Sequence, residues 1–253
     1  MAFRAGNRER YHTAMEPQER QPRADDLRAR LAAIEQAVDE GSYGPGAWRA
    51  LIGDLRNSKL FERAALSEDV SRVSRKLHLR RHRRCVAINT GILLEIAAAI
   101  IGGLLMIAGA AARSNAAAFA GAILWMIAFE PLVKFAVGRL AGVQYDYMYI
   151  LGIEPRLKMR FGTYLARPRL LRIVVHLSGT AGSPLAAYLT YWMFSQSMPA
   201  AAALCYWAFW VLVAINVVNF IAPFIGMRRI GPMPLAMSSA GSAAIELREG
   251  LGV

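Results

Sequence analysis

Two charged residues stand inside an apolar segment of the chain, which reads WMIAFEPLVKFAVGRLAGV over residues 125–143. Glu130 and Lys134 are four residues apart, so on a helix they share one face and can pair. Exposing a charge to hydrocarbon costs about 3 kcal/mol or more, so charged residues in membrane helices usually face a protein interior or a wet cavity. This face is therefore the first candidate for function. The alternative is a structural Glu–Lys pair that only fixes helix packing.

Further polar residues fall at similar predicted depths in the other apolar segments. Because a helix rises about 1.5 Å per residue, Glu95 and Glu130 are expected about 15 Å deep, with Lys134 one turn shallower. Buried polar groups in hydrocarbon need partners, so one connected polar layer is expected. Its predicted members are Glu95, Glu130, Lys134, His176, Asn216 and Asn219. Each also has a simpler interpretation: Glu95 can merely neutralise Lys134, His176 can be a hydrogen-bonded packing residue, and Asn residues commonly join membrane helices.

Small residues cluster in the third apolar segment, which reads SGTAGSP over residues 178–184. Gly179 and Gly182 allow close backbone approach between helices, and Pro184 can kink the helix that carries it. Helix packing is the expected role of these three residues. No Ser–His–Asp arrangement can be singled out within the apolar segments, which disfavours a serine protease.

The composition places these residues in a polytopic membrane protein. The chain has 253 residues, 55% of them hydrophobic, which is more apolar sequence than one soluble core needs. The net charge of +12 does not indicate nucleic-acid binding, because Lys and Arg concentrate beside the apolar segments, as the positive-inside rule requires. Cys85 and Cys205 offer neither disulfide nor zinc spacing. No cleavable signal peptide is visible.

The predicted fold is an all-α polytopic membrane protein with four transmembrane helices and a small N-terminal cytoplasmic helical region. A short β-hairpin is expected between spans two and three, from residues 145–150 and 157–161. Basic residues mark alternate connections, so both termini are expected in the cytoplasm. The predicted regions are a disordered tail (1–24), the helical region (25–84), the membrane domain (85–230) and a C-terminal tail (231–253). The predicted spans are 85–112, 116–140, 170–194 and 200–227.

The segment from Glu130 to Val143 resembles the metal-binding helix of the site-2 protease family of intramembrane zinc metalloproteases. That family reads His-Glu-x-x-His, then an Arg five residues beyond the second His, and then a Gly three residues further on with an aliphatic residue after it. Arg139, Gly142 and Val143 match this spacing. The hairpin-like segment from Tyr145 resembles what often follows the motif. Residues 178–184 are similar to the family's small-residue motif.

The residues that bind metal and act as the general base in that family are replaced in this chain. Glu130, Pro131 and Lys134 stand where the family has its first His, its general-base Glu and its second His. Asn216, Asn219 and Pro223, followed by Ser-Ser-Ala-Gly over 238–241, weakly resemble the region that holds the family's aspartate ligand, but no aspartate is present there. A catalytic zinc needs three protein ligands and a proton acceptor. The resemblance therefore implies a degenerate member with no catalytic residues, metal or cofactor.

Three function classes follow from these observations. The preferred one is a non-proteolytic membrane scaffold or regulator that binds other transmembrane segments. The alternatives are an active or residual intramembrane metalloprotease, and a proton- or solute-conducting protein that uses Glu95, Glu130 and His176 as a relay. The Ala- and Arg-rich composition with few Lys is typical of GC-rich bacteria, which favours a bacterial inner membrane. The expected partners are the lipid bilayer and other transmembrane proteins, without nucleic acid.

Overall fold

The structure is a computed structural model that describes residues 17–80, 84–151, 154–227, 229–230 and 233–251. The helices in this part of the chain are α1 (Pro17–Glu40), α2 (Pro45–Asn57), α3 (Leu60–Ala65), α4 (Ser67–Leu79), α5 (Ile88–Ala111), α6 (Asn115–Leu140), α7 (Phe161–Leu165), α8 (Arg169–Phe194), α9 (Pro199–Ile221) and α10 (Ser239–Leu251). The strands are β1 (Cys85–Ala87), β2 (Tyr145–Leu151), β3 (Glu154–Met159), β4 (Arg229–Ile230) and β5 (Met233–Pro234).

Three of these helices, α5, α6 and α9, are long and apolar enough to cross a membrane. They contain 24, 26 and 23 residues, and at about 1.5 Å per residue each is longer than the roughly 30 Å hydrocarbon core. Large apolar side chains project from them, and Leu93, Ile107 and Trp207 are each about two-thirds exposed. Such continuous apolar exposure is what a lipid-facing helix requires, so the chain has the features of a membrane protein.

Helix α8 coincides with the predicted third span but differs from the other three in composition. It has 26 residues, yet within the described chain only α5, α6 and α9 meet the length and apolarity expected of a span. The reason is its buried face, which carries polar side chains including Arg172, His176 and Thr190. Its opposite face exposes apolar residues such as Leu170 and Trp192. Length and apolarity therefore identify three candidate spans among the described helices, and not four.

The predicted hairpin is present, and a third strand extends it. Strands β2 and β3 pair antiparallel, and β1 pairs with the other edge of β2, with Cys85 opposite Tyr149 and Ala87 opposite Tyr147. The first span was expected to start at Cys85, but helix α5 begins only at Ile88. The open edge of β2 supplies backbone hydrogen-bond partners to residues 85–87, which a sequence window cannot reveal.

The N-terminal helices form a cap whose core is shared with the base of the membrane helices. Apolar residues of α1, α2 and α4 pack together, and α7 and the start of α8 complete the cluster. Helix α1 begins at Pro17, so residues 17–24 are helical and not the expected disordered tail. Proline suits a first helical position because its missing N–H would have no intrahelical partner there. Residues 1–16 of that predicted tail lie outside the described chain.

The C-terminal segment also departs from the expected tail. Helix α10 packs on α8 and α9, and Ala240, Ala243 and Ala244 are buried. Residues three and four apart share one helix face, so these small side chains form a stripe that allows close packing. The tail prediction overlooked this stripe because alanines contribute little to an apolar periodicity. Helix α10 thus brings Ser239 and Glu246 into contact with the core.

Candidate functional site

The first polar cluster joins α6 to α10 through a serine hydroxyl. Lys134 Nζ donates to Ser239 Oγ at 3.0 Å, and Ser239 Oγ donates to Glu130 Oε1 at 3.1 Å. Among the described residues, no direct ion pair joins Glu130 to Lys134; the hydroxyl links the two charges instead. The expected link between Glu130 and Lys134 on α6 therefore depends on the Ser239 side chain of α10.

Helix α8 packs closely against this turn of α6 because two of its residues lack side chains. A Cβ atom on Gly182 would lie 2.7 Å from Glu130 Cα, and one on Gly179 would lie 2.9 Å from Lys134 Cδ. Ser183 Oγ also donates to the carbonyl oxygen of Met126 at 2.7 Å. The glycines allow backbone contact that any larger residue would prevent. Pro184 is buried on the same helix.

The second polar cluster links α7, α8 and α10. Tyr164 Oη donates to Glu246 Oε1 at 2.7 Å and lies 3.0 Å from His176 Nε2. Because the hydroxyl has one proton and gives it to Glu246, His176 donates from Nε2 to the tyrosine oxygen. Arg172 pairs with the other carboxylate oxygen at 3.0 Å. All four side chains are buried. The cluster therefore excludes water and holds α7, α8 and α10 together.

Arginines from the cap surround the same carboxylate. Arg56 lies 3.5 Å from Glu246 and also pairs with Glu249. The pKa of Arg63 is lowered from its ordinary value, first by burial and then by Arg172 and Arg169. Burial and the neighbouring Glu246 raise the pKa of Tyr164 well above its ordinary value. This excess of cations around one carboxylate ties the cap to α8 and α10.

The remaining predicted members of the polar layer lie apart from these clusters. Asn216 Nδ2 donates to the carbonyl oxygen of Thr180 at 3.0 Å and so joins α9 to α8. Glu95 is buried on α5 but has no hydrogen-bond or ion-pair partner among the described residues. Asn219 likewise has none in that part of the chain. The single connected network expected from depth alone is therefore divided, and Glu95 is not joined to Lys134.

A groove of about 800 Å³ opens between α8 and α9. Its walls are almost entirely apolar, with Leu177, Pro184 and Tyr188 on one side and Phe209, Val213 and Phe220 on the other. Asn216 and Thr180 lie within this lining. A second cavity of about 530 Å³ lies where the cap and hairpin meet the ends of the membrane helices, and Lys134 and His176 line it.

Four residues of these clusters were not predicted as site residues: Ser239, Tyr164, Arg172 and Glu246. Ser239 falls in the Ser-Ser-Ala-Gly segment whose resemblance was noted, which is the one signal that points to it. Glu246 follows the alanine stripe of α10, and that stripe, interpreted as a buried helix face, is the sequence signal for a buried carboxylate here. Tyr164 lies in the basic connection before α8 and Arg172 in the first turn of that helix, where arginines look like topology signals.

The groups at the first cluster do not fit a zinc ion. The ammonium of Lys134 would repel the ion, and a serine hydroxyl is a poor substitute for the usual carboxylate, imidazole or thiolate ligands. Within the described residues, no three His, Cys, Asp or Glu side chains come together in a group that could hold a metal. Comparison of the chain with protein-family models, curated proteins and solved structures found no match.

Proposed function

We propose that this chain is a multi-pass membrane protein with a degenerate site-2 protease-like core that binds a transmembrane segment of another protein without cleaving it. The observation that carries the proposal is the bridge from Lys134 through Ser239 to Glu130. It joins two of the segments for which the resemblance to that family was drawn, and Gly179 of the third segment packs against Lys134 and Ser239. The meeting of these segments supports the resemblance, while the ammonium and hydroxyl found there argue against metal chemistry.

The groove between α8 and α9 is the proposed binding site for that segment. It runs along two helices, its lining is apolar, and Pro184 and Asn216 lie beside it. Helices in membranes associate through close packing and occasional interhelical hydrogen bonds. An apolar helix with small residues along one face would pack closely in this groove. The protein would thus hold a partner beside the closed polar cluster as a scaffold or regulator.

We further propose that α8 also crosses the membrane, as the third of four spans, and that both termini lie in the cytoplasm of a bacterium, with the chain in the inner membrane. Tyr164, just before α8, hydrogen-bonds to Glu246, which lies after α9. If α9 crosses the bilayer, α8 must cross it too for these two residues to meet at one end. The polar face of α8 is covered by α6, α9 and α10, which removes the cost of exposing it to lipid.

A proton relay finds less support than a scaffold. The proposed relay residues were Glu95, Glu130 and His176, and each belongs to a different environment in the structure. Glu130 is bonded to Ser239, and His176 is bonded to Tyr164. A relay needs a continuous chain of hydrogen-bonding groups, so this separation favours the binding function.

Metal analysis and a cleavage assay test the proposal against the protease alternative. The protein, purified mildly with its lipids, is expected to contain no stoichiometric zinc and to leave transmembrane peptides intact, with or without chelator. Glu95→Gln is the matched control because this carboxylate lies outside the cluster. About one zinc per chain, together with chelator-sensitive cleavage that Glu130→Ala abolishes and Glu95→Gln preserves, would establish the hydrolase and overturn the scaffold.

A further inference from the structure

The second cavity has walls from three separate parts of the fold. Tyr43, Trp48 and Leu77 contribute from the cap, and strand β3 contributes from the hairpin. Lys134 and His176 close it from the side of the membrane helices. The cavity therefore lies between the polar cluster of the membrane domain and the cytoplasmic cap, at the level where lipid head groups and cytoplasmic solutes both occur.

The ionisable side chains that line this cavity, apart from its tyrosines, are all basic. Its basic lining residues are Lys134, Arg156, Lys158, Arg80, His78 and His176, and the described lining contains no Asp or Glu. The ammonium of Lys158 donates to Ser74 Oγ at 2.9 Å, and that of Lys134 donates to Ser239 at 3.0 Å. Both of these partners are neutral hydroxyls. Neither lysine forms an ion pair within the described residues.

Two further observations indicate that a bound anion would stabilise the groups around the cavity. Burial lowers the pKa of Lys158 to about 8, although Asp146 opposes the shift. A buried ammonium without a counter-charge is costly, and a bound anion would remove that cost. In addition, the Nδ1 atom of His176 is buried and has no hydrogen-bond partner among the described residues. A ligand with both acceptor oxygens and a hydroxyl proton would give Lys158 a counter-charge and give this nitrogen a hydrogen-bond donor.

We propose that the cavity binds a phosphate-bearing anion, presented either by an anionic phospholipid head group or by a soluble phosphate. Lys158 and Lys134 supply compact positive charges at two sides of the cavity, and Arg156, which also pairs with Glu154, supplies a planar guanidinium. Guanidinium and ammonium groups are the usual protein partners of phosphate oxygens. Trp48 and Phe161 provide apolar walls for the organic part of the ligand. This inference does not rest on the proposed scaffold function.

Thermal unfolding of the delipidated full chain in a neutral detergent tests the site, with inorganic phosphate titrated against chloride at matched ionic strength. Specific binding to the folded state raises Tm in a saturable way. The double variant Arg156→Gln/Lys158→Gln should bind phosphate more weakly and so raise the half-saturating concentration by about tenfold or more. The matched control is Arg49→Gln/Lys59→Gln, which removes the same charges from exposed cap positions outside the cavity lining and should bind as the wild type does.

Two short-chain lipids distinguish the source of the phosphate. Dihexanoyl phosphatidic acid and dihexanoyl phosphatidylcholine share acyl chains but differ in the accessibility of the phosphate. If phosphatidic acid half-saturates at about a tenfold lower concentration than inorganic phosphate, the ligand is a lipid head group. If the two half-saturate equally, it is a soluble phosphate. Phosphatidylcholine should give no saturable shift in either case.

A direct measurement keeps the inference falsifiable if the double variant does not fold. Equilibrium dialysis of radiolabelled inorganic phosphate against the wild-type protein needs no variant and should show saturable binding. Lys158→Gln alone, which retains the Arg156–Glu154 pair, should weaken it. The proposal is overturned if the wild type shows no saturable response to phosphate or phosphatidic acid, or if the folded cavity variant responds as the Arg49→Gln/Lys59→Gln control does. Failure here leaves zinc content and cleavage, which test the scaffold, unaffected.

Discussion

Glu130 and Lys134 show how a single hydroxyl can decide the character of a polar cluster. Ser239 accepts from the ammonium and donates to the carboxylate, so both charges are satisfied without direct contact. An unsatisfied buried charge is among the most destabilising features a protein can carry. The bridge therefore stabilises the contact between α6 and α10.

Lys134→Met should lower the free energy of unfolding by about 1–3 kcal/mol, because it leaves the half-buried Glu130 carboxylate without a cation nearby. Adding Glu130→Gln should recover much of that loss, since the remaining amide can hydrogen-bond to Ser239. Thermal and denaturant unfolding in detergent measure the effect. Glu95→Gln is the control, and its effect should be the same with or without Lys134, because the structure shows no contact between them. An unchanged stability in Lys134→Met would contradict the bridge.

The sequence was sufficient to identify the polar residues that interrupt the apolar runs, but not how they are paired. Glu130, Lys134 and His176 stand out because they interrupt long apolar runs. Their partners Ser239 and Tyr164 are ordinary residues, 105 positions from Lys134 and 12 positions from His176. Glu95 was expected about one helical turn deeper than Lys134, yet among the described residues no hydrogen bond or ion pair joins the two. Depth is a one-dimensional quantity and does not fix the direction of a side chain around its helix.

Among the secondary-structure elements, long apolar helices were the easiest to predict from sequence. The predicted second and third spans end within a residue or two of α6 and α8, because charged and proline residues interrupt the apolar runs. Strand β1 and helix α10 were missed. Residues 85–87 form a strand only because β2 offers an open edge, and α10 packs through alanines whose small size matters only against a partner helix.

Gly182→Ala should destabilise the contact between α6 and α8 by about 1–3 kcal/mol, because the added methyl group meets backbone atoms that cannot rotate away. Its Cβ would lie 2.7 Å from Glu130 Cα and 2.8 Å from the carbonyl oxygen of Phe129. The matched control is Gly103→Ala in α5, whose nearest neighbour would be the Trp125 ring at 3.6 Å, an ordinary contact. Thermal unfolding of both variants measures the difference. Equal effects would mean that α8 does not pack on α6 in this way.

At the scale of the whole molecule, the cap, the hairpin and α10 assemble at one end of the membrane helices. Arg56 of the cap pairs with Glu249 of α10, and Arg160 beside the hairpin pairs with Glu68 of the cap. These contacts are consistent with an even number of crossings, because the two long helices α5 and α6 lie between cap and hairpin, and the two long helices α8 and α9 lie between hairpin and α10. The basic connections are consistent with a cytoplasmic location for this assembled end.

Reporter fusions along the chain should show four crossings of the bilayer. Fusions at Asn115 and Gln196 are expected to report the periplasmic side, and fusions at Arg160 and Val253 the cytoplasm, because the basic clusters remain inside. Gln196 is the decisive position, since it follows α8. A cytoplasmic signal there would mean that α8 does not span the membrane, and the proposed arrangement of the groove would fail with it.

Site-specific photocrosslinking in native membranes tests the central claim, that the α8–α9 groove holds a transmembrane segment. A photoreactive residue at Val213 or Val217, both in the groove, should crosslink to a peptide from an apolar partner segment of about 20 residues. The same residue at Leu93 or Ile107, which project from α5 and lie outside the groove lining, should label lipid only. Lipid labelling at all four positions, or a groove crosslink to a polar soluble segment, would contradict the account.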